Sequence, residues 1–247
     1  MSSNEGGPGL AERLALVRQQ IGEAASAADR SSDELTLIAI TKFHDESLLR
    51  ELAALGVRDF GESRHQEARD KAANLADLDL TWHFVGQIQS KKARQIAAYS
   101  AVIHSLDRAS VADLLGTTLS SSPETVLKAA ASASDARPPV DVFIQVNLTP
   151  DPARGGATPG DLEALAEHVS GLAGLRLRGV MAVAPLGEPA RPAFERLRLL
   201  SAAVQRIDAG ASAISAGMSN DFADAIAEGA THLRIGSAIT GFRPVQR

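Results

Sequence analysis

The sequence has no cysteine. That absence removes disulfides, thiolate catalysis and cysteine-bound metal from consideration. Neither H-x-H nor H-E-x-x-H occurs, so a histidine metal site is not expected either. No stretch approaches the ~18 apolar residues of a membrane span. The N-terminus, "MSSNEGGPGLAERLALVRQQ", lacks the basic segment and apolar core of a signal peptide, so the chain is expected in the cytoplasm. Acids and bases are mixed along the chain at a net charge of -5, with no basic stripe for nucleic acid.

What is present is ordinary for a globular protein: 247 residues, 45% hydrophobic and 22% charged. Residues 2–9, "SSNEGGPG", can bury almost nothing and read as a disordered tail, leaving 10–247 as one domain. Eight β-rich runs follow: 35–42, 57–63, 81–87, 101–107, 140–148, 177–185, 211–218 and 232–239. They are near-continuous apolar runs, the signature of parallel strands covered by helices. Between them lie helical patterns such as 45–56, 159–174 and 191–207, the first with Leu48, Leu49, Leu52 and Leu55 on one face. Strand–helix alternation repeated eight times predicts an α/β fold, a single (β/α)8 TIM barrel. An open doubly wound sheet is the rival, and no G-x-G-x-x-G follows the first strand to favour it. The Ser-, Ala- and Pro-rich stretch 116–139 reads as a broken helix and a mobile surface loop.

Barrel chemistry sits at the C-terminal ends of the strands. There the sequence places Lys42, then "GES" with Ser63, then Asn147, "MAVAP", "SAGMSN" and "RIGS". The last two put Gly217, Ser219, Gly236 and Ser237 on the loops where such barrels often bind phosphate. Ser219 reads as the N-cap of the helix that follows. Ordinary serine-capped turns would look the same. Lys42 ends an apolar run, "LIAITKF". It either snorkels into water or presents an amine to an aldehyde, which a phosphate could anchor across the barrel. His83 and His104 lie within strands and read as satisfied core histidines, with no carboxylate at triad spacing.

Seven stretches, "LIAITKF", "DFGESRHQEA", "WHFVGQIQSKK", "IHSLDR", "FIQVNL", "LRGVMAVAP" and "GMSNDFADAIAEGATHLRIGSAITGFR", match one family in order and spacing. From about residue 10 to 243 the chain resembles the pyridoxal phosphate homeostasis proteins, also called alanine-racemase N-terminal-domain-like or proline synthetase co-transcribed proteins. The resemblance implies a fold-type III barrel binding pyridoxal 5'-phosphate (PLP), without the second β-domain of racemases. It implies a Schiff base on Lys42, Arg234 near the pyridine nitrogen, and Ser215, Gly217, Met218, Ser219, Gly236 and Ser237 around the phosphate. A guanidinium beside the ring nitrogen would keep it unprotonated and weaken the cofactor as an electron sink. Ser63 replaces the asparagine of the family's "GEN", and Ala216 a methionine of its "SMGMS".

Three functions compete: a non-catalytic PLP carrier serving intracellular vitamin B6 homeostasis, a PLP enzyme such as a racemase of low activity, and a Schiff-base aldolase. The single tyrosine, Tyr99, falls in a helix at 91–99, and no second base is visible for racemisation. The carrier reading fits best, as a cytoplasmic monomer with PLP-dependent apoenzymes as possible recipients, no metal and no catalytic residue.

Overall fold

The structure is a computed structural model that describes residues 7–120 and 138–241. Its eight strands are β1 (Thr36–Ile40), β2 (Asp59–Glu62), β3 (Thr81–Phe84), β4 (Val102–Leu106), β5 (Val140–Gln145), β6 (Leu175–Met181), β7 (Ala213–Ser215) and β8 (His232–Ile235). All pair in parallel and in chain order, and β1 closes on β8 with Thr36 opposite His232 and Ala39 opposite Ile235. The expected barrel is therefore present, and the open-sheet rival is excluded.

Every connection between strands carries a helix: α2 (Glu46–Ala54), α3 (His65–Asn74), α4 (Ala93–Tyr99), α5 (Ala109–Ser120), α6 (Leu162–Ser170), α7 (Ala190–Ile207) and α8 (Phe222–Ala227). A four-residue turn of helix, α9 (Ser237–Thr240), follows β8. The leucine pattern at 45–56 becomes α2, whose N-cap Asp45 accepts from Leu48 N–H at 3.2 Å. Leu49 and Leu52 of that helix are buried, and each such side chain contributes roughly 1.5–3 kcal/mol.

One helix was not among the expected elements. α1 (Leu10–Ala27) buries Leu10, Leu14, Val17, Ile21 and Ala25, a three-and-four spacing that packs it on α8 and α9. Of the expected tail, Gly7 to Gly9 are exposed and outside any helix, while 2–6 lie outside the described residues. α5 runs unbroken to Ser120, and the rest of the expected loop to 137 lies outside the described residues.

All eight strands end before the sequence runs that announced them, and β1 stops at Ile40, two residues short of Lys42. Several of these runs persist past the last ladder hydrogen bond with residues that stay buried as the chain turns off the barrel, such as Val146, Ala182 and Ala216. The extra residues are the loops that build the site.

Most of the apolar core lies between barrel and helices. A separate small cluster, Val102, Phe143, Met181 and Ala213, is contributed by β4 to β7 alone. Polar residues accompany it. His104 on β4 stacks on Phe143 at 4.6 Å and bonds Ser215 on β7, which is not a neighbour of β4, so the contact crosses the lumen.

Candidate functional site

Lys42 stands on a tight turn. His44 N–H donates to the Thr41 carbonyl at 3.1 Å, closing a four-residue turn with Lys42 and Phe43 at its centre. Phe43 has φ +70°, a left-handed conformation that favours glycine and is an outlier for a bulky residue. Such strain costs of order 1–3 kcal/mol and persists only where surroundings enforce it. Here Phe43 N–H donates to Glu67 Oε1 at 2.7 Å, and the Arg64 guanidinium lies 5.2 Å from the centre of the Phe43 ring.

The turn borders a cleft of about 620 Å³ at the C-terminal mouth of the barrel. Of the residues expected at the site, Lys42, Ser63, Met218, Ser219, Arg234, Gly236 and Ser237 line it. Ser215 and Gly217 do not. Ser215 is fully buried beneath the cleft, and Gly217 faces α8. Gly217 has φ +91°, and a Cβ there would come within 2.9 Å of Phe222 Cα and Ala225 Cβ. It is required for the fold of the loop rather than for direct approach of a ligand. The walls also include Ile40, His44, Val85, Met181 and the stretch from Val183 to Glu188. The position of "MAVAP" at a strand end pointed to that last stretch. Nothing in the spacing marked His44, whose imidazole is lowered in pKa by burial and then by the nearby Lys71 ammonium.

The loops after β7 and β8 meet as expected, with one correction. Ser219 does not cap α8; Asp221 precedes that helix, and its Oδ1 accepts from Met218 N–H at 2.5 Å. Ser219 Oγ instead accepts from Ala238 N–H at 3.3 Å, and Ser237 Oγ lies 3.5 Å from it. The two loops are thus tied to each other, bringing two hydroxyls together across successive strands.

Arg234 forms the floor. It is 5% exposed, with Nη1 donating to Ser215 Oγ at 2.5 Å and Nη2 to the Ala182 carbonyl at 2.8 Å. Burial lowers its guanidinium to about 10, so it remains a cation at neutral pH. Below it a hydrogen-bonded chain continues from Ser215 to His104 Nδ1 at 2.8 Å and from His104 Nε2 to His83 Nδ1 at 2.9 Å. It ends with His83 Nε2 and Asp59 Oδ1 at 2.9 Å. With both imidazoles neutral, every link is satisfied in one direction, from the donor-only arginine to the acceptor carboxylate. Burial, His83 and Arg234 hold the imidazole of His104 well below its ordinary pKa. The two histidines are satisfied core groups, as expected, and they also prop the arginine.

Beside β2, a second buried network centres on Lys71, which is 4% exposed. Its Nζ donates to Thr41 O at 2.9 Å, Glu62 Oε1 at 2.7 Å and Glu67 Oε1 at 2.7 Å. Nothing in the order of residues marks it, because a lysine in a polar helix such as α3 reads as solvated.

The match to the alanine racemase N-terminal domain extends over residues 25–244. A pyridoxal phosphate homeostasis protein of Pseudomonas aeruginosa is 43% identical over 241 residues, covering 95% of this chain and 96% of its own length. The protein of that name from Escherichia coli is 36% identical over 245 residues, covering 95% and 97%. The chain belongs to the pyridoxal phosphate homeostasis protein family. Among solved structures, PipY of Synechococcus elongatus with PLP bound has a TM-score of 0.78 at 35% identity, covering 94% of this chain and all of its own. The alanine racemase of Corynebacterium glutamicum has a TM-score of 0.66 at 14% identity, and the matched part is 62% of that chain. That second likeness shows the shared barrel alone. Among the described residues no helix is long and apolar enough to cross a membrane, and no three metal-ligating side chains cluster.

Proposed function

We propose that the protein binds PLP in the cleft, holds it on Lys42, and passes it on as part of vitamin B6 homeostasis in the cytoplasm. The observation that carries this reading is the joint placement of Lys42, Arg234 and the tied serine loops around one cleft. The donor set fits the cofactor: an amine for an aldehyde, hydroxyls on glycine-flanked loops for a phosphate, and a buried cation for the ring. The PLP-bound state of PipY supports the same reading. Lys42 would hold the cofactor through its amine, and the cofactor would supply the aldehyde for that linkage, with loss of one water.

The protein's own residues then do the rest. Ser219 and Ser237 hold the phosphate end, with Met218 and Gly236 beside them, while Ser215 and Gly217 act from behind by fixing Arg234 and the loop. Arg234, a donor-only cation, disfavours protonation of the ring nitrogen and so limits electron withdrawal. Ser63 borders the cofactor with a shorter reach than an amide. The carrier reading is supported by the placement of Tyr99, which does not line the cleft; its hydroxyl lies 3.3 Å from His65 Nδ1. We read the protein as a monomer that hands PLP to apoenzymes.

The test is spectroscopic. Protein incubated with PLP shows a visible absorbance band, and borohydride reduction fixes the cofactor on the peptide containing Lys42. A colourless protein, or a label on another lysine, overturns the assignment. Racemisation of alanine at ~1 per second or faster would make the protein an enzyme rather than a carrier.

A further inference from the structure

The network centred on Lys71 carries more than stability. Its ammonium has three N–H groups, and all three are engaged: Thr41 O at 2.9 Å, Glu62 Oε1 at 2.7 Å and Glu67 Oε1 at 2.7 Å. Two of those partners lead directly to the residues on either side of Lys42. Thr41 is held by its carbonyl, and also by its hydroxyl, which donates to Glu62 Oε1 at 2.8 Å. Phe43 is held by its amide on Glu67 Oε1 at 2.7 Å. The lysine at the cleft is the one residue of 41–43 that the network leaves out.

As a stabilising device this arrangement is poor. Burying an ion pair typically gains little over apolar packing of the same volume. Glu62 Oε2 adds to the cost, being buried with no hydrogen-bond partner among the described residues. Burial also raises the pKa of the Glu62 carboxyl, against the pull of Lys71 and Thr41. What the network does reach is Phe43, whose amide bonds Glu67 while its backbone holds φ +70°, a conformation that is an outlier for a bulky residue.

We propose that Lys71 is a positioning residue for Lys42: through Thr41 and Glu67 its ammonium imposes the strained turn that presents the Lys42 amine to the cleft. This deepens the reading of the cleft as an aldehyde-capturing site and rests on it, but the turn can be tested without any ligand. Lys71→Met removes the three bonds at similar side-chain length. In cofactor-free protein followed by NMR, the Phe43 amide of that variant exchanges with solvent at least ~10-fold faster than in wild type, while Val142 and Phe143 amides in β5 do not change. Affinity for PLP falls at least ~10-fold, whereas affinity for pyridoxine 5'-phosphate, which has the phosphate and ring but no aldehyde, stays within ~3-fold.

Should Lys71→Met fail to fold, Glu67→Ala gives the same readouts, since Glu67 lies at the edge of the network and its loss leaves the Lys71–Glu62 pair. Wild-type exchange at Phe43 in the folded variants overturns the proposal, as does equal loss of both ligands. If wild-type protein captures no PLP on Lys42 but Phe43 exchange accelerates as stated, the functional reading fails while the control of the turn by Lys71 stands.

Discussion

Acidification tests the interior of the barrel most directly. His104 is fully buried and His232 half-buried, and both are held toward the neutral form in the folded protein. Burial first, then His83 and Arg178, lowers the imidazole of His232 from 6.5 to about 4; burial and the neighbouring His83 and Arg234 lower that of His104 in the same direction. In an unfolded chain both titrate near ~6.5. A depressed folded pKa means that the unfolded state binds protons first, so stability is complete above pH 6.5 and is lost as pH falls toward the folded values. For His232 the difference between 6.5 and about 4 corresponds to about 3 kcal/mol once the pH has fallen below 4. Within the window from pH 6 to 4.5 His232 adds a slope of about 1.4 kcal/mol per pH unit, and His104 adds to it in the same direction. Urea unfolding at half-unit pH steps measures this. Carboxylates also titrate toward the bottom of the window, so the decisive comparison is with His232→Asn, whose slope between pH 6 and 4.5 is smaller by about 1.4 kcal/mol per pH unit. Parallel wild-type and variant curves, or an NMR titration placing His232 near 6.5, would refute the claim that the lumen enforces neutral imidazoles.

Other expectations concern the site's loops. Ser63→Asn supplies the amide that the resemblance anticipates; one added hydrogen bond of about 1 kcal/mol tightens PLP binding several-fold in a spectral titration. Gly217→Ala places a Cβ at φ +91° against Phe222 and Ala225, lowering stability by about 1–3 kcal/mol in urea and weakening PLP binding through the displaced Ser219. Gly86→Ala drives a Cβ to 2.0 Å from the Ser63 carbonyl, so the loop after β2 must move; PLP affinity falls, and the melting temperature with it.

Much of this protein was legible in its residues. Eight apolar runs alternating with leucine-spaced helices specify a parallel sheet covered by helices, because each element must bury one face against another. They favour the barrel over an open sheet, and the pairing of β1 with β8 closes it. Lys42, Ser219 and Ser237 were legible for a related reason: in this architecture a polar residue just past a buried strand has only the mouth of the barrel to occupy, whereas Arg234, within β8, was marked only by the family resemblance. The helix α1 was legible too, from Leu10, Leu14, Val17 and Ile21, but it precedes the first strand and so fell outside the alternation being read.

Other features had no signature in the order of residues. A lysine at 71 within "HQEARDKAAN" has the sequence environment of a solvated helix face, and its burial follows only from α3 lying against the turn after β1. The link from Asp59 through His83, His104 and Ser215 to Arg234 joins five strands and crosses the lumen. Ser219 reads as a cap for its own helix until the neighbouring loop is seen to donate to it. In each case the partner is remote in sequence, and hydrogen-bond direction depends on where two chains meet rather than on what either contains. The sequence alone determined that a parallel sheet covered by helices delivers a lysine and two serine loops to one end. Tertiary structure alone decided how that lysine is held, because the strain at Phe43 and the ammonium that imposes it arise from contacts between elements.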